Sequence, residues 1–121
     1  MSTSPVFGLP YIAESQASPE VTHNAALNMA QIIAAGIAQA TLNTPPGSPA
    51  EGQAWIIGAT PTGAWVGHAN ALAGWFGGAW LFVPGVDSLG SVIAMGAAQS
   101  GLRVWDIGAA VTKRWNGSAW V

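Results

Sequence analysis

The sequence predicts an α+β protein: an N-terminal extended arm, one long apolar helix and a small antiparallel β domain. Three observations carry this reading. Ser18-Pro19-Glu20 is a helix start, and it opens a run with no further charge until Glu51. From Gly52 onward, short apolar runs are split by Gly, Pro and Asn about every 8–12 residues, the spacing of short strands and turns. Trp-x-Gly-x-Ala-Trp occurs twice, at Trp75–Trp80 and Trp115–Trp120, which is the pattern of a repeated hairpin.

Residues 1–17 read as the arm. Pro5, Gly8 and Pro10 break any helix there. Phe7, Leu9, Tyr11 and Ile12, with Val6, are apolar and need a surface to lie on. That surface is the chain's own domain, a sister subunit or another protein. The four are assigned as docking residues, and deletion of residues 1–17 is expected to leave an oligomer intact while abolishing docking.

Residues 18–42 read as the helical segment, the helix itself, to about Ala40, being roughly 30 Å long at 1.5 Å per residue. A Ser ahead of a Pro at the first helical position, followed by Glu, satisfies orphan N–H groups and opposes the positive dipole end. Thr22 is an alternative cap, and the helix is expected to run to about Ala40, before Thr44-Pro45-Pro46. Asn24, Asn28, Gln31 and Gln39 draw one polar stripe; the remaining circumference is apolar. A small β domain covers one side only, so the other side is assigned to sister subunits. Leu27, Ala30, Ala34 and Ile37, spaced by three and four, form the expected seam. The alternative is a single helix lying under its own sheet.

Residues 43–121 read as the β domain. Asn116-Gly117 is a two-residue hairpin signal, which places Trp115 and Trp120 as diagonal neighbours on one face. In the earlier copy the turn is either Phe76-Gly77 or Gly77-Gly78, the latter setting Trp75 directly opposite Trp80.

Composition narrows the function. Half of the 121 residues are hydrophobic and 7% are charged, against about 25% charged in a typical soluble domain. So little charge points to surface buried between copies. The net charge is −2 with no basic cluster beyond Lys113-Arg114, so nucleic-acid binding has no electrostatic footprint. There is no cysteine, hence no disulfide or thiolate site. The first residues lack the basic and apolar segments of a signal peptide. The run Ala25–Ala40 is shorter than the roughly 20 apolar residues of a membrane span, so no membrane insertion is expected.

Chemistry-bearing residues are sparse. His23 and His68 have no Cys and few carboxylates to join them, so no metal ligands are assigned. There is no G-x-S-x-G elbow and no P-loop lysine. Glu14, Glu20, Glu51, Asp87 and Asp106 are scattered. No catalytic residue and no cofactor are assigned. Trp75, Trp80, Trp115 and Trp120 are the aromatic candidates, as core, as subunit interface or as a sugar-stacking face.

The strings "FGLPYIAESQ", "VTHNAAL", "TPPGSPAEGQAWIIG" and "TGAWVGHANALAGWFGGAWLFVP", from about Phe7 to Pro84, resemble a domain family of unknown function. The resemblance continues more loosely through "VWDIGAA" and "WNGSAWV". The family occurs in tail-fibre and related virion proteins of phages and gene transfer agents of alphaproteobacterial type. The chain departs from it at Ser18-Pro19-Glu20, at Ala25 and at Gly85-Val86, the last removing an aromatic. The resemblance implies a non-enzymatic virion structural protein: a fibre, spike or adaptor made in the host cytoplasm and carried on the particle. Its expected partners are itself, with a homotrimer favoured, and other virion proteins. The alternative is a host-surface carbohydrate-binding module acting in adsorption, with host polysaccharide as partner.

Overall fold

The computed structural model describes residues 2–121 and is mixed α+β, with one α-helix and two small sheets. The helix, α1 (Pro19–Ala35), is shorter than the sequence suggests. Gly36 takes the left-handed conformation (φ 61°), and its N–H donates to the Ile32 carbonyl at 3.2 Å. This is the usual glycine termination of a helix, and it leaves a helix of roughly 26 Å. Residues 37–42 are not helical; they form β1 (Ile37–Ala38) and β2 (Thr41–Leu42). The N-terminal cap also differs from expectation. Ser18 is left-handed (φ 51°) and its side chain caps nothing. Thr22 is buried and accepts from the Gln16 side-chain amide.

The remaining strands are β3 (Ala54–Ile57), β4 (Leu72–Phe76), β5 (Ala79–Val83), β6 (Arg103–Asp106) and β7 (Val111–Arg114). One sheet has the order β2-β3-β4-β5 and the other β1-β6-β7. The β region is mixed rather than purely antiparallel, because β1 runs parallel to β6 and β2 parallel to β3. Both parallel pairings come from the short segment after Gly36, which feeds one strand to each sheet and joins them.

Side-chain alternation along the four-stranded sheet builds two cores. On one face Ala54, Ile56, Leu72 and Val83 pack against Met29 and Ile32 of the helix. On the other, Trp55, Ile57 and Ala73 pack with Trp65, which arrives on a short 3-10 turn at Gly63–Trp65. The helix therefore lies on its own sheet through Met29 and Ile32, while its polar residues Asn24 and Gln31 face outward.

The two tryptophan motifs both form hairpins with directly opposed indoles: Trp75 pairs with Trp80 and Trp115 with Trp120. The first turns at Gly77-Gly78, both with positive φ (61° and 80°), as a two-residue turn of matching twist requires. The second turns at Gly117-Ser118, one residue later than Asn116-Gly117. The Asn116 N–H donates to the Ala119 carbonyl, and the Asn116 side-chain oxygen accepts from the N–H groups of Ser118 and Ala119. Asn116 thus flanks the turn, and Gly117 (φ 101°) supplies its positive-φ first position. The diagonal placement expected for Trp115 and Trp120 gives way to direct opposition.

Candidate binding surfaces

The arm is part of the domain. Thr3 is buried and its N–H donates to Ser88 Oγ. The Val6 carbonyl accepts from the buried side-chain amide of Gln99 at 2.7 Å, and the Gly85 N–H donates to the Phe7 carbonyl at 2.8 Å. At Gly8 a Cβ would stand 2.6 Å from the Val86 carbonyl oxygen, so two backbones meet there with no room for a side chain. Phe7 and Leu9 are partly buried against the helix-side core. The four expected docking residues divide accordingly: Phe7 and Leu9 hold the arm down, while Tyr11 and Ile12 are each 50% exposed.

Where the arm crosses the helix, an apolar groove of about 380 Å³ opens between Val6, Phe7 and Leu9 on one wall and Ala30, Ile33 and Ala34 on the other. The expected oligomer seam runs along its helical wall. Ala34 and Leu27 are exposed, Leu27 at 54%, and Ala30 is half-buried. Ile37 is exposed too, but it stands on β1 beyond the helix end. The seam residues are therefore left uncovered by the chain's own sheet.

The candidate indoles are mostly structural. Trp80 is a hub, with ring centroids 5.6 Å from Trp55, 5.2 Å from Trp65 and 4.9 Å from Trp75, all edge-to-face. That is the favoured geometry for aromatic pairs. Trp115 is 1% exposed, and its Nε1 donates to the Gly96 carbonyl at 2.8 Å. Trp120 lies 5.5 Å from Trp115 and donates from Nε1 to the Asn70 carbonyl at 2.9 Å. Trp75 and Trp80 remain half-buried. Of the three indoles outside the repeated motif, Trp55 and Trp65 are buried and Trp105 is 44% exposed on β6. Its signal was available in the alternation of Arg103-Val104-Trp105-Asp106, where Val104 and Asp106 are the inward pair.

Three of the five acids serve the backbone. Glu51 accepts from the Gly77 N–H at the tip of the first hairpin. Asp87 accepts from the N–H groups of Leu89 and Ser91 within its own turn. Asp106, buried, receives Thr41 Oγ1 at 2.7 Å, Lys113 Nζ at 2.9 Å and the Ala109 N–H at 3.0 Å. Lys113 also donates to Thr41 Oγ1. Burial alone would raise the Asp106 pKa. The hydrogen bonds from Lys113, Thr41 and Ala109, with the Lys113 charge, outweigh it and hold the carboxyl below its ordinary value. The closed triangle of Asp106, Lys113 and Thr41 ties β6 and β7 to β2, and so one sheet to the other.

His68 stacks on Phe82 with centroids 3.6 Å apart and planes 4° from parallel. Burial lowers its pKa, and its Nδ1 reaches no hydrogen-bond partner. His23 is exposed on the first turns of α1. Among the described residues no three His, Cys, Asp or Glu side chains gather where they could hold a metal ion. No helix among them is long and apolar enough to cross a membrane.

Fold and surfaces together define a small α+β domain whose buried polar groups Gln99 and Asp106 are used internally and whose surface includes an apolar groove. The chain matches the family described as "Protein of unknown function (DUF2793)" over residues 23–121, and it belongs to that family. No curated protein matches the chain.

Proposed function

We propose that the chain is a non-enzymatic structural component of a phage-type particle, a fibre, spike or adaptor, that assembles with copies of itself. The observation that carries the assembly is the uncovered apolar tract formed by the arm–helix groove with Leu27 and Ala34 beside it. A chain with 7% charge leaves such a tract without charged residues to keep it solvated. Threefold assembly is favoured, since fibres and spikes are commonly trimeric. The particle context is supported by the resemblance of "FGLPYIAESQ", "VTHNAAL" and the strings from Thr44 to Pro84 to virion proteins. The non-enzymatic reading is supported by the carboxylates: Glu51, Asp87 and Asp106 are each engaged by backbone N–H groups of their own fold.

Docking onto the particle falls to Tyr11 and Ile12, the exposed end of the arm. Deleting residues 1–17 would remove part of the core, so the docking test is a surface substitution instead. Tyr11→Asp/Ile12→Asp is expected to fold and assemble normally but to be missing from particles purified from cells that carry the gene. Normal incorporation of the double variant would remove the docking role.

The second reading, a host-surface carbohydrate-binding module, loses support at Trp115 and Trp120, which pack against each other and donate their N–H groups internally. It gains support at Trp105, which is exposed on β6.

A further inference from the structure

The outer face of the β1-β6-β7 sheet collects the surface chemistry that the rest of the chain lacks. Registers place Ile37, Trp105 and Thr112 side by side across the three strands. Two residues along β6, about 7 Å away, Arg103 stands directly opposite Arg114 on β7. The backbone N–H and carbonyl of Arg114 bond to Val121, on the far side from β6. Arg103 and Arg114 are therefore a non-hydrogen-bonded antiparallel pair, the kind with closely approaching side chains. Like charges so placed are destabilising.

Among the described residues these two arginines are also the side-chain cations without an ion pair. The chain has three Lys and Arg residues in all, and Lys113 is on the opposite face, neutralised by Asp106. Both arginines are exposed. In a protein of net charge −2, an unfavourable cation pair has been placed beside the most exposed indole.

We propose that this face binds an acidic polysaccharide, one bearing uronate carboxylates. Each feature has a counterpart in such a ligand. A guanidinium takes a carboxylate through two parallel N–H···O bonds. An indole stacks on the apolar face of a sugar ring. Rows about 7 Å apart let one ring lie on Trp105 while carboxylates to one side of it meet Arg103 and Arg114. Thr112 offers a hydroxyl beside the ring. A neutral glycan would leave the arginine pair unrelieved; an acidic peptide would leave Trp105 without a ring to stack on. The proposal goes beyond the particle-assembly reading and does not depend on it, because the face shares no residue with the arm–helix groove.

The test is calorimetric titration of the full chain, at low salt, with polygalacturonate, alginate and hyaluronan, and with dextran and polyglutamate as controls. At least one polyuronate is expected to bind, dextran not, and polyglutamate at least tenfold more weakly. Trp105→Ala and Arg103→Gln/Arg114→Gln are each expected to weaken binding at least tenfold. Trp75→Ala, on the other sheet, is expected to leave it unchanged. Raising the salt concentration weakens the interaction. Removing a like-charge pair relieves repulsion, so the thermal midpoint of the double arginine variant should match or exceed that of the parent; this keeps loss of binding separate from loss of fold. Failure of all three polyuronates to bind overturns the proposal. So does equal binding of polyglutamate, which would give the face to an acidic protein, or sensitivity to Trp75→Ala in place of Trp105→Ala.

Discussion

The two Trp-x-Gly-x-Ala-Trp hairpins share a register and differ in what surrounds them. In the first, Trp75 and Trp80 lie on a sheet face where Trp80 gathers three other indoles, and both stay half-buried. In the second, Trp115 is enclosed, and the pair reaches out by two indole N–H groups, to Gly96 and to Asn70. The first hairpin is a layer; the second is a latch between the end of the chain and two distant loops. A short motif encodes turn and pairing. Whether its indoles become core, edge or clasp depends on what the rest of the fold brings to them.

The largest break in that comparison is Trp115→Ala. Truncating an enclosed indole and leaving the Gly96 carbonyl unpartnered should lower stability by about 3–5 kcal/mol. Trp75→Ala, at a half-buried site, should lower it by only about 1–2 kcal/mol. Urea unfolding of both variants measures the gap, and equal losses would mean that the second hairpin is no latch.

The turns give a smaller contrast. Gly117→Ala forces a side chain into positive φ and should destabilise by roughly 1–2 kcal/mol. Gly77→Asn should do the reverse and stabilise by a few tenths to about 1 kcal/mol, because Asn-Gly suits a turn with two positive φ values and restricts the unfolded chain. Thermal midpoints moving in opposite directions would confirm the assignment of the two turns.

Acid should loosen the two regions at different pH. His68, beside the first hairpin, is held neutral below its ordinary value of 6.5. The unfolded chain takes up that proton first, so stability falls as pH drops below about 6.5. His68→Phe should flatten this slope while keeping the stack on Phe82. Asp106, beneath the second sheet, has its pKa lowered from 3.8. Its stabilisation is present above that value and is lost as pH falls through the lower folded value, a loss that Asp106→Asn should remove. Unfolding followed from neutral pH to acid in both variants separates the two contributions.

Much of the frame was legible because it is local. The Pro19-Glu20 helix start, the strand-and-turn rhythm and the paired indoles follow from propensities over a few residues; the extended arm does not hold, because residues 2–11 fold back on themselves through the Thr3–Pro10 bridge. The helix end was mislocated because Gly36 reads as a tolerated interior glycine, although an αL cap before β-branched Ile37 uses the same residue. The pairings of β1 with β6 and β2 with β3 were illegible because two-residue strands carry no periodicity. The second turn was displaced by one residue because the Asn116 side chain, and not its backbone, organises it. The arm's own footing was hidden for another reason: Gly8 and Gly85 meet through backbone atoms, which leave no hydrophobic signature. At the candidate surfaces, the sequence named tryptophans by their repeat. The strand register instead exposes the unrepeated Trp105 beside Arg103 and Arg114.

The central claim is that copies assemble across the uncovered arm–helix tract. The most direct measurement is the native mass by light scattering, from micromolar to nanomolar concentration, for the parent chain and for Ala30→Glu/Ala34→Glu. The parent is expected to hold an oligomeric mass, a trimer favoured, on dilution. The double variant is expected to run as a folded monomer with an unchanged circular dichroism spectrum. A parent chain that is monomeric at micromolar concentration, or an oligomer unaffected by the two glutamates, would contradict the account.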